Sequence, residues 1–89
     1  MGTEKRQHER FAFPHPIEVR RDNDPSWIPA MARDISVGGL GFESDHPLEV
    51  GDRLRIGWPS IDEDIVFEAV VRHVRTSGST HCIGVEGGR

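Results

Sequence analysis

Arg53-Leu54-Arg55-Ile56-Gly57-Trp58 places Leu54, Ile56 and Trp58 on one side of the chain and Arg53, Arg55 and Gly57 on the other. Side chains alternate across a β-strand, so this period of two predicts a strand with one buried face. Pro59 ends it, because proline has no N–H to continue a ladder. Upstream, Ile17 and Val19 alternate with Glu18 and Arg20, which predicts a first strand beginning after Pro14 and Pro16. Arg21 to Pro25 reads as a turn and Trp27 to Ser36 as a second strand, with Pro29 marking a bulge or an edge position. Val37-Gly38-Gly39 then turns the chain into a third strand opening with Leu40-Gly41-Phe42. Downstream, Ile65 to Arg75 is apolar on both faces, the pattern of a long strand that bends at a barrel corner. Ser77-Gly78 predicts a hairpin turn, and Thr80 to Val85 the last strand. No stretch carries a sustained helical stripe. Six short strands without a covering helix favour closure into a small barrel, which removes exposed edges.

The chain has 89 residues, enough for one domain, with 35% hydrophobic and 29% charged residues, the balance of a soluble globular protein. No apolar run approaches the length of a membrane span, so membrane insertion is not expected. Met1 to Arg10 lacks the apolar segment of a signal peptide, and the expected compartment is the cytoplasm. The single cysteine, Cys82, fits that compartment and supplies neither a disulfide framework nor a zinc site. A formal net charge of -4 argues against duplex nucleic acid as a partner, so any anionic ligand must be met locally. Lys5, Arg6 and Arg10 cluster near the N-terminus, where Arg20, Arg21 and Arg33 are candidates to join them. Asp62-Glu63-Asp64 reads as a solvated loop.

Arg6-Gln7-His8-Glu9-Arg10 is an R-x-x-x-R arrangement just ahead of the first strand. Asp34-Ile35-Ser36-Val37-Gly38-Gly39 is a D-x-S-x-x-G arrangement where the second strand ends. Their order and separation, followed by Val50-Gly51-Asp52 and by Ile83-Gly84-Val85-Glu86 in the closing strand, resemble the signature of the PilZ domain family over nearly the whole chain. The resemblance implies a six-stranded antiparallel β-barrel of PilZ type, with residues 1–10 as a flexible arm carrying R-x-x-x-R and residues 11–89 as the barrel. It also implies cyclic di-GMP as the ligand. Carried over by position, Arg6 and Arg10 clamp that ligand, Asp34 and Ser36 bind guanine, and Gly38 and Gly39 let it approach the backbone. Family members often have arginine where Lys5 stands, so Lys5 adds attraction without arginine's fork. Family members also place an aromatic residue and a helix after the closing strand. With three residues after Glu86, the C-terminal helix is expected to be absent here.

The chemistry agrees with that assignment. Arginine alone among side chains offers a planar fork for phosphate or for the Hoogsteen edge of guanine together with a stacking surface. Asp34 can accept from guanine N–H donors, and the Ser36 hydroxyl can donate or accept. Asp34 and Ser36 share parity, so in a regular strand both face one side while Ile35 enters the core. Gly39, with Gly38, is expected to supply positive φ.

Other residues carry less. Gly39-Leu40-Gly41 starts like a dinucleotide fingerprint, but Ser44 stands where the third glycine belongs and no helix follows. His8, His15, His46, His73 and His81 have no metal or triad spacing. Trp58 shares parity with Leu54 and Ile56 and reads as core, Trp27 is a further stacking candidate, and Cys82 reads as a buried thiol in the last strand. The expected function is therefore a non-enzymatic cyclic di-GMP receptor without a cofactor, whose arginine arm closes over the dinucleotide and signals to a downstream protein. The alternative is a PilZ-like adaptor acting by protein contacts without nucleotide. A single-strand nucleic-acid binder is disfavoured, because only 7% of residues are aromatic and the charge is acidic.

Overall fold

A computed structural model describes residues 10–87. Every regular element in that range is a β-strand: β1 Arg10–Arg21, β2 Ile28–Ser36, β3 Gly39–Ser44, β4 Arg53–Trp58, β5 Ile65–Ser77 and β6 Thr80–Gly87. All neighbours are antiparallel. The order β1-β2-β3-β6-β5-β4 returns to β1 and closes as a barrel. Closure leaves one apolar interior and a polar outer face, which the alternating sequence requires.

That interior is built from the alternating positions. Ile17 and Val19 of β1, Leu40 and Phe42 of β3, Leu54 and Ile56 of β4, Ala69 and Val71 of β5, and Ile83 and Val85 of β6 are buried together with Ala32 and Leu48. Trp58 packs partly against this cluster, as its parity predicts, and its ring stacks on His15 at 4.4 Å. Trp27 instead lies exposed over Gly57, with the Arg20 guanidinium 5.5 Å from its ring centroid.

β1 starts at Arg10, well ahead of Ile17, where the run after Pro14 and Pro16 begins. It tolerates Pro14 and Pro16 because its pairing with β4 covers only Glu18 to Arg21, so its first half has a partner on one side only. Between Ala12 and His15 the register with β2 shifts, and Pro14 falls inside that bulge. Pro29 lies where β2 pairs with β1 but not yet with β3, an edge position on that side. The bulge of β2 lies further on, between Ala32 and Asp34. A third bulge, between Val71 and His73, bends β5.

Candidate functional site

Two of these bulges set the outer face of β2-β3-β6-β5. A one-residue bulge breaks the alternation and turns two consecutive side chains to the same side. In β2, Ala32 is buried and Ile35 packs against the core, so Arg33 and Asp34 between them both face outward. In β5, Val71 is buried and Val74 packs inward, so Arg72 and His73 both face outward. Asp34, Gly41, Gly84 and His73 then lie in one row across four strands, since Asp34 pairs with Gly41, Gly41 with Gly84, and Gly84 with His73.

The middle of that row has no side chains of its own, and its neighbours lean over it. Arg10 pairs with Ser36 across β1 and β2, and its guanidinium donates from Nε and Nη2 to Oδ1 of Asp34 at 3.0 and 2.6 Å. The ion pair lies above Gly41: a Cβ there would sit 2.8 Å from Asp34 Oδ1 and 3.2 Å from Arg10 Nη2. Any other residue at 41 would push the pair off the sheet. On the other side, the His73 ring covers Gly84. Arg33 pairs with Glu43, and Arg72 with Glu86 at 2.6 Å. Between these groups runs a groove of about 620 Å³, lined by Arg10, Arg33, Asp34, Gly41, His73 and Arg75 among others. Small-ligand sites occupy about 300–1,000 Å³, so the groove is large enough for one.

The sequence-predicted residues divide as follows. Arg10, Asp34, Ser36 and Gly39 come together on this face, and Gly38 forms the turn beside it. Lys5 and Arg6 lie outside the described residues. Arg10 is a strand residue rather than part of the arm, and its fork is engaged with Asp34 while the side chain stays exposed. The glycine roles also change. Gly38 has φ +84° and faces open space, whereas Gly39 is not in the positive-φ region. Gly39 is constrained by packing, since a Cβ there would lie 3.0 Å from the Val85 carbonyl and 3.4 Å from Ser36 Oγ. Arg20 and Arg21 do not join the cluster: Arg20 covers Trp27, and Arg21 pairs with Asp52. The Cys82 thiol is not in the core but half-buried in the outward row between Glu43 and Arg75. The sequence alone assigns no ligand role to Gly41, Gly84, His73 or Arg75. The available signal was the spacing Ala32-Arg33-Asp34-Ile35 and Val71-Arg72-His73-Val74, where two polar residues interrupt an alternating run.

No group of three or more histidine, cysteine, aspartate or glutamate side chains that could hold a metal occurs among the described residues. The site offers hydrogen-bond donors, acceptors and flat surfaces, which is binding chemistry.

Comparison with known proteins gives a consistent result. The PilZ domain family model matches residues 4–87. No curated protein matches the chain. The fold is similar to that of the Bacillus subtilis inhibitor of motility, MotI/DgrA, with a TM-score of 0.76 at 20% identity, covering 98% of this chain and 44% of that one. It is similar to the PilZ domain of YcgR from Escherichia coli, solved with c-di-GMP, with a TM-score of 0.75 at 16% identity over 94% of this chain and 78% of that one. Against the longer YcgR chain in complex with c-di-GMP the TM-score is 0.70 at 18% identity, over 97% of this chain and 39% of that one. The chain thus spans less than half the length of MotI and of that YcgR chain.

Proposed function

The chain belongs to the PilZ domain family, and from that premise we propose that it is a non-enzymatic receptor for cyclic di-GMP, bound on the outer face of β2, β3 and β6. The observation that carries this reading is the meeting of Arg10, Asp34, Ser36 and Gly39, drawn from two distant motifs, beside a groove whose centre is Gly41 and Gly84. Glycines let a flat base approach the sheet, the carboxylate accepts from guanine N–H groups, and the arginine fork meets phosphate or the Hoogsteen edge. Arg6 and Lys5 approach the ligand from the N-terminal arm and close over it. Engagement of these two side chains with the ligand is the event passed to a downstream protein. The YcgR structures similar in fold hold c-di-GMP, which supports the choice of ligand.

Calorimetric titration with cyclic di-GMP, with GTP as control, tests the proposal. Saturable binding that Asp34→Ala weakens at least tenfold supports it, and a wild-type protein that ignores cyclic di-GMP refutes it. A second reading, an adaptor that works without nucleotide, draws on the exposed apolar side chains Phe13, Ile65, Val66 and Phe67. In that case the Arg10–Asp34 pair is only structural, and the same titration separates the two.

A further inference from the structure

The His73 ring makes an unusual contact with the sheet. A Cβ on Gly84 would lie 2.5 Å from its Cε1, 2.8 Å from Nδ1 and 3.0 Å from Nε2. Both nitrogens are bonded to Cε1, so a point in line with the ring edge would be markedly farther from them than from that carbon. The small spread puts the point off the flat face of the ring. His73 therefore lies face-down on Gly84, and since the residue is exposed, its opposite face is presented outward. Gly84 itself is buried beneath it. Gly41, the neighbour of Gly84 in the same row, is covered by the Arg10–Asp34 pair. The ring and the ion pair thus lie over two glycines that are paired neighbours in one row.

Arg75 is the next outward residue on β5, because Val74 between it and His73 packs against the core. It lines the same groove. Arg10 and Arg33 in that groove are matched by Asp34 and Glu43, whereas Arg75 has no ion-pair partner among the described residues. Its charge is the one left for an anion.

We propose that β5 forms the second wall of the nucleotide site, with the outward face of His73 stacking on a purine base and Arg75 binding an adjacent phosphate. The inference rests on the cyclic di-GMP reading and extends it to residues outside both motifs. A ring fixed against the sheet loses little freedom on stacking, and a cationic fork beside it matches the base-to-phosphate layout of a nucleotide. Gly84 is explained as well, since any side chain there would lift the ring.

The test is calorimetry with cyclic di-GMP on wild type, His73→Ala, His73→Phe and Arg75→Ala, with Asp34→Ala as a reference and melting temperatures for all. Loss of base stacking lowers affinity about 5- to 150-fold, so His73→Ala is expected to fall in that range while His73→Phe, which keeps a flat ring, stays within roughly threefold. Arg75→Ala is expected to lose about tenfold. The His73 Hε1 proton resonance of wild type moves upfield on saturation, because a base stacked on the ring shields it. If His73→Ala and Arg75→Ala bind like wild type while Asp34→Ala does not, the second wall is refuted and the receptor reading stands. If wild type does not bind, both fall together.

Discussion

Arg10 and Asp34 are bound to each other before any ligand arrives, with both Arg10 donors on a single carboxylate oxygen. Exposed pairs of this kind are worth about 0.2–1 kcal/mol, so the pair contributes little to folding and a ligand can displace it at small cost. Arg10→Ala is therefore expected to move the melting temperature by only a few degrees, at roughly 4–8 °C per kcal/mol for a domain this size. Its affinity for cyclic di-GMP should fall about tenfold to a hundredfold, the loss of one charge-assisted contact. Binding equal to wild type would remove Arg10 from the site. Gly38 and Gly39 separate two reasons for glycine. At Gly38, with φ +84° and open space, Asn is expected to be milder for stability than Ala, because its short polar side chain tolerates the left-handed region. At Gly39, where a Cβ meets the Val85 carbonyl at 3.0 Å, Asn is expected to be no milder than Ala. Melting curves of the four variants decide this, and an Asn advantage at Gly39 would contradict the packing role.

At the scale of the strand, alternation made the six elements legible, with Leu54-Arg55-Ile56 as the plainest case. The motif residues Asp34 and Ser36 were legible too, because parity from 34 to 36 is regular. What alternation hid was the set of bulges. Arg33 and Arg72 are each one residue too many for the neighbouring strand, and a rule of strict period two puts every residue beyond them on the wrong face. The start of β1 was missed for a different reason, since Pro14 and Pro16 look like breakers when the openness of one edge is unknown. The bulge in β5 carries its own prediction. Deleting Arg72 removes the extra residue and leaves Val71 inward, His73 outward and Val74 inward in strict alternation, so the shortened domain is expected to fold and to melt near wild type. Arg72→Ala keeps the count and loses only an exposed ion pair with Glu86, so it should melt close to wild type. A deletion that unfolds the domain while Arg72→Ala melts normally would mean that Arg72 is not the extra residue of β5.

Across the whole molecule the same strands serve a core on one side and the groove on the other. Leu40, Phe42, Ile83 and Val85 pack beneath the face that carries Gly41 and Gly84. Leu54, on β4, belongs to that core without lining the groove. Leu54→Ala is thus expected to cost about 2–5 kcal/mol of stability, measured by denaturant unfolding, and to leave cyclic di-GMP affinity unchanged wherever the protein remains folded. The central claim is that cyclic di-GMP occupies the glycine-centred groove. Amide chemical shifts of wild type, followed by NMR through a cyclic di-GMP titration, test it most directly. The account predicts saturable shifts concentrated at 10, 34–41, 72–75 and 82–86. Shifts confined to the apolar opening around Phe13, Trp58 and Phe67, or no shifts at all, would contradict it.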